Sequence, residues 1–347
     1  MIRKTTPKIH NMPSQGPPVP FSSLPLSKKH ATTKLNAWGA YGDEDERGFL
    51  NRQTDDIVAA AAASEIRTGL RVSLNAALDF QGDRPLFGRQ VFKKDVYQKL
   101  PRIVHDDQWH FNTQSSSQWD GLRHFGYQSA QRFYNDTTVE DIAGTSEKAK
   151  TRGPNILGVQ NLEKHGIVGR GVLIDFARWR ETGPGKDIAD VQSFRSFERH
   201  PIKLEWLKQI LEWQGTEVKF GDILIVRSGF FKSYYALQDE EIAKLQAMHP
   251  PSLGGVEQSE ELLNWIWDNF SAVAADHPSF EQWPTPFDWS CHEVFLAGWG
   301  CPIGELFELE ELSKACEKLG RWSFFVTSEA VHVPGGVASP PNALAIF

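Results

Sequence analysis

One short run, Gln114-Ser-Ser-Ser-Gln118-Trp119-Asp120-Gly-Leu-Arg123-His124, gathers two amides, three hydroxyls, a carboxylate, a guanidinium and an imidazole. Each such group taken from water without a partner costs about 1–3 kcal/mol. A catalytic or metal centre would offset that cost; a Ser-rich surface loop leading into a hydrogen-bonded histidine is the plain alternative. Gln118 and Asp120 are two apart, so on a strand both side chains point to one face, and Gln114 shares their parity. His124 lies four beyond Asp120 and reaches the same pocket if the chain turns at Gly121. A second run, His292-Glu-Val-Phe-Leu-Ala-Gly-Trp299-Gly-Cys-Pro-Ile-Gly304-Glu305, reads as a helix carrying His292 that ends near Gly298. A tight loop then returns Glu305, which brings one imidazole and one carboxylate to a site built elsewhere.

Tryptophan is abundant, with 12 residues in 347, and several stand beside these polar candidates. Either they pack the core, or they wall a pocket for a flat substrate. Trp119, Trp299 and the cation Arg123 are the substrate-binding candidates on the second reading.

The elements that must position these groups alternate between strand and helix. Thr54 to Ile66 reads as a helix capped by Thr54, with Asp55 and Asp56 at its positive end. Arg71 onward, Val172 to Phe176, Asp222 to Arg227 and Ala272 to Asp276 read as strands, the middle two following glycines. Helical spacing of Leu204, Leu207 and Leu211 fills 201–214; 259–269, about 289–298 and 309–319 read as further helices. The class is α/β, with α+β as the alternative, as a single domain over 34–347. Residues 1–33, rich in Pro, Ser and Lys, read as a flexible or extended N-terminal arm.

Bulk properties narrow the partners. A net charge of -7 argues against nucleic acid, and no apolar run approaches the ~18 residues that cross a bilayer. Cys291, Cys301 and Cys316 are few and odd in number, which points to a reducing compartment, with the cytoplasm as default. No GxGxxG or GxxxxGK phosphate loop is present.

Gln118-Trp-Asp-Gly-Leu-Arg-His124 resembles the signature of the cyclase family, metal-dependent hydrolases that include kynurenine formamidase and isatin hydrolase. Trp38-Gly39 with Gly48-Phe-Leu-Asn51 resembles the family's opening. Gly169 to Asp175, Gly221 to Gly229, Ala275-Asp276 with Glu281, His292 to Glu305, and the final Gly335-Gly, Ser339-Pro340 and Asn342 to Ile346 follow in the family's order. The resemblance covers about residues 35–347. It implies a swivelling β/β/α-type single domain with a mixed central sheet, and copies that associate as a homo-oligomer.

For the site, the resemblance implies that Gln118, Asp120, His124, His292 and Glu305 converge. His124 takes the place of the family's proton shuttle, a general base for water, with Glu305 as a second catalytic group. The family's first two metal-binding histidines fall on Gln114 and Gln118, whereas Asp120, His124, His292 and Glu305 keep their residue types. The implied ligands for a divalent metal (zinc, manganese or magnesium) are therefore Gln114, Gln118, Asp120, His292 and Glu305. An amide oxygen is a weaker ligand than imidazole for zinc and suits harder ions. The expected activity is hydrolysis of an amide, formamide, cyclic amide or ester bond of a small aromatic substrate, of arylformamidase type. A metal-free lyase or cyclase, or a non-catalytic binding paralogue, stands as the alternative.

Overall fold

The structure is a computed structural model that describes residues 16–347. The first fifteen residues of the expected arm lie outside the described residues. Residues 16–33 are a series of bends and turns around one 3-10 helix at Phe21–Ser23, where Val19, Phe21 and Leu24 pack on the core and Trp267 Nε1 donates to the Val19 carbonyl at 3.0 Å.

A nine-stranded mixed sheet organises the chain. Its strands are β1 (Arg71–Ser73), β2 (Gln118–Asp120), β3 (Ile167–Asp175), β4 (Asp222–Arg227), β5 (Phe270–Ala275), β6 (Ile303–Glu305), β7 (Ser323–Ser328), β8 (Ala338–Ser339) and β9 (Leu344–Ile346). They lie side by side in the order β1-β9-β7-β3-β4-β5-β6-β2-β8. β3, β4, β5 and β6 are parallel, and the outer pairings are antiparallel. Near-continuous apolar sequence in β3, β4 and β5 follows from burial on both faces. Val172, Ile174, Leu224 and Val226 enter one core layer; Leu173, Ile223 and Ile225 enter the other.

Helices cover both faces. α1 (Asp55–Glu65) starts where Thr54 Oγ1 accepts from the Ile57 N–H, as its sequence dictates. α2 (Leu204–Trp213) and α3 (Glu260–Asn269) bury Leu207, Ile210, Leu262 and Ile266 in the first layer. α4 (Glu310–Leu319) buries Leu312 and Cys316 in the second. The segment expected as a helix around 289–298 is π-helical from Glu293 to Trp299 and ends at Gly300, whose φ of +65° suits glycine. A hairpin, Lys93–Gln98 with His105–His110, stands apart from the sheet and is exposed along most of both strands. Arg102, His105 and His110 lie on it, which leaves them solvated.

Candidate active site

β2 and β6 form the floor of the site. They pair antiparallel with Gln118 opposite Glu305 and Asp120 opposite Ile303. Directly opposed residues share a face, so Gln118, Asp120 and Glu305 point to one side. Gln118 Nε2 donates to Glu305 Oε2 at 2.8 Å. The π-helical turn brings His292 over this floor, where its Nε2 meets Glu305 Oε1 at 3.1 Å. On the other side of the ring, Nδ1 lies 2.8 Å from Glu281 Oε2, and the His292 N–H donates to Glu281 Oε1. Burial works against the His292 charge, yet Glu281 and then Glu305 hold its pKa well above the ordinary value. The chain turns at Gly121 and His124 comes back to the floor, with Nε2 at 3.8 Å from Asp120 Oδ2. The five residues expected to converge do so.

Asp120 is the anomaly of this cluster. It is fully buried, and neither carboxylate oxygen has a hydrogen-bond partner; Oε1 of Gln118 is likewise buried and unpartnered. One ligand atom from each of Asp120, His124 and His292 lies within 4.8 Å of the others. Buried anions without a partner are costly, and oxygen donors with an imidazole suit a divalent cation. Asp120 and His292, with Glu305 and the unpartnered Gln118 Oε1 beside them, therefore fit the metal that the sequence implied. Burial, with Asp120 close by, raises the Glu305 carboxyl to about 7. Gln114 touches the cluster only through His124 and turns no free oxygen to Asp120: its Oε1 accepts from Arg89 Nη2 at 2.8 Å and its Nε2 lies 2.7 Å from His124 Nδ1.

Above the floor lies a cavity of about 190 Å³, lined by Phe87, Arg89, His124, Phe125, Pro278, Ser279, Trp283, His292 and Glu305. Three residues expected in its wall are elsewhere. Trp119 sits between Gln118 and Asp120 on β2, so strand alternation turns it to the opposite face. There it is fully buried against Phe307, with Nε1 donating to Ser328 Oγ at 2.8 Å. Trp299 is also fully buried, stacked on Phe49, and donates to the Leu35 carbonyl at 2.8 Å. Arg123 spends its guanidinium on three backbone carbonyls, those of Ile156, Gly335 and Pro154. Its place is structural.

Asp276 accepts from Ser228 Oγ and from the N–H groups of Ser228, Gly229 and Phe230, which caps the following turn and leaves it no free oxygen for the site. Sequence reasoning missed Arg89. It follows a loop turn at Phe87 and Gly88 and has no periodic signal to mark it.

Residues 26–282 match the sequence profile of the Cyclase family, described as "Putative cyclase". No curated protein matches. Among solved structures, a novel cyclase is similar with a TM-score of 0.75 and 29% identity, over 90% of this chain and 100% of that one. Isatin hydrolase A from Ralstonia solanacearum is similar at TM-score 0.53 and 15% identity, over 84% of this chain and 97% of that one. Isatin hydrolase A from Labrenzia aggregata, bound to benzyl benzoate, gives 0.52 and 13% over the same shares. At those identities the two hydrolases speak to the fold alone.

Proposed function

The chain belongs to the Cyclase family, and from that premise we propose that it is a hydrolase of a small aromatic substrate. The bond opened is a C–N bond (amide, formamide or cyclic amide) or an ester, and a divalent cation is held at Asp120. The observation that carries this reading is the unpartnered Asp120 carboxylate, buried in the floor beneath an aromatic-walled cavity. Cavities of roughly 150 Å³ hold a benzene ring, so a space of about 190 Å³ suits one aromatic group. Isatin hydrolases share the fold, and one is bound to benzyl benzoate, an aromatic ester.

Asp120, Glu305, His292 Nε2 and the free Oε1 of Gln118 would hold the cation. Three oxygens and one imidazole favour manganese or magnesium over zinc. When bound, such a cation supplies positive charge that polarises a carbonyl and eases deprotonation of water. The side chains do the rest. Glu281 orients the His292 ring from behind, as outer carboxylates do for metal-binding histidines. Phe87, Phe125 and Trp283 flank the substrate ring and exclude water. Glu305, which lines the cavity, would take the proton of the attacking water and return it to the leaving group. His124 reaches the reacting carbonyl from the cavity side.

A panel of N-formyl aromatic amines, aromatic lactams and aryl esters, assayed with and without added manganese, tests the reading. Hydrolysis of at least one class that stops after chelation and returns with metal is the expected result. Product formed by chelated protein would give the site to a metal-free lyase or cyclase. Metal binding with no turnover of any class would leave a binding paralogue. A cytoplasmic setting and association of copies belong to the same reading: the three cysteines are unpaired and buried, and light scattering of the purified chain checks the association. No helix among the described residues is long and apolar enough to cross a membrane.

A further inference from the structure

We propose that Arg89 and Gln114 lock His124 in the tautomer with its proton on Nε2, which makes it a hydrogen-bond donor to the reacting carbonyl and not a base for water. The carbonyl as target rests on the hydrolase reading above; the lock itself does not.

One chain of contacts runs from Arg89 through Gln114 to His124. A guanidinium has donors only. Arg89 Nη2 donates to Gln114 Oε1 at 2.8 Å, and Nη1 donates to the Gln114 backbone carbonyl at 2.5 Å. The Gln114 amide is thereby fixed in orientation, because exchanging its oxygen and nitrogen would set an NH2 group against the guanidinium. Its Nε2 then faces His124 Nδ1 at 2.7 Å. An amide nitrogen donates and cannot accept, so Nδ1 must be the bare nitrogen, and the neutral ring carries its proton on Nε2. A doubly protonated ring would press an N–H against the amide NH2.

The Nε2–H that results is not used up inside the protein. Asp120 Oδ2 lies 3.8 Å away, beyond hydrogen-bond range. His124 and Arg89 both line the cavity, so the free donor faces the place where a substrate carbonyl sits. Neutral imidazole in this role stabilises developing negative charge without losing its proton. His124 starts and ends each turnover with the proton on Nε2, and the proton of the attacking water goes to a carboxylate. This replaces the water-base role expected for His124 from the sequence. With Nδ1 engaged and Nε2 protonated, His124 is also no metal ligand in this state.

The test needs no substrate. In metal-free full-length protein with 15N-labelled histidine, long-range proton–nitrogen correlation reads both ring nitrogens, and the His124 signals are those lost in His124→Asn. The lock predicts an unprotonated Nδ1 and a protonated Nε2. A proton on Nδ1 would overturn it. Gln114→Glu sets an acceptor against Nδ1 and is expected to move the proton there; an unchanged tautomer in folded Gln114→Glu would also overturn the lock. On a substrate that the wild type hydrolyses, Gln114→Glu should cut kcat by about 10²–10³-fold, the share of one oxyanion donor, with KM little changed. Undiminished kcat with the proton moved would overturn the donor role. A correct tautomer in a protein that hydrolyses nothing would uphold the lock and sink the hydrolase reading alone.

Discussion

Asp120 carries a cost that only a ligand offsets, and removing its charge separates cost from use. In metal-free protein, Asp120→Asn should raise stability by about 1–3 kcal/mol in urea unfolding, because an unpartnered buried anion becomes a neutral amide of the same shape. A fall in stability would mean that the carboxylate already has a partner. His124→Asn should keep the fold and lower turnover by about two to three orders of magnitude, with metal content unchanged in the same sample. Loss of the metal along with the activity would make His124 a ligand. Asp120, His124, His292 and Glu305 were legible in the sequence because their residue types and order are those of the family signature. Trp119 was misjudged, although the period-two argument that aligned Gln118 with Asp120 also turns the residue between them away. Trp299 and Arg123 could not be read that way, since their partners, Leu35 and the carbonyls of 154, 156 and 335, are distant in sequence. Arg89 was invisible for the same reason: its function lies in Gln114, across a loop and a hairpin.

The site is assembled by two strands of three residues each, β2 and β6, too short for any periodic signal. β4, β5 and α1 to α4 were legible from apolar runs and caps, with bounds within a few residues of expectation, as with Thr54 at the start of α1, whereas β3 begins at Ile167, well before the expected Val172, and β7 was not foreseen. The antiparallel joining of β2 to β6 was not, because pairing depends on contacts nearly two hundred residues apart. Gly304 makes that joint possible. A Cβ there would lie 2.6 Å from Ala274 Cβ and 3.0 Å from the Trp119 ring. Gly304→Ala should cost about 1–3 kcal/mol by overpacking. It should also weaken metal binding, because Glu305 is the next residue; calorimetric titration with manganese checks the second effect. Normal affinity in a destabilised variant would show that β6 shifts without moving Glu305.

At the scale of the molecule, burial on both faces of the sheet extends to its ionisable groups, and acid stability records this. Burial lowers the His277 pKa to about 4 from 6.5. The folded state therefore binds that proton more weakly than the unfolded chain. The His277 contribution is complete above about pH 6.5 and is lost as pH falls towards 4, by about 3 kcal/mol at most. Asp222 and Glu305, both raised to about 7, act in the opposite sense over the same interval. The His277 part is therefore read from the difference between wild type and His277→Asn, which should shrink as the pH falls from 7 to 4. A difference constant with pH would mean that the ring binds its proton equally in the folded and unfolded chain, so that burial does not shift it. The account as a whole turns on one divalent ion at Asp120. Titration of chelated full-length protein with manganese, followed by calorimetry, tests this most directly. The account predicts one equivalent bound by the wild type and none by Asp120→Asn; a wild type that binds none, or an Asp120→Asn variant that binds as tightly, would contradict it.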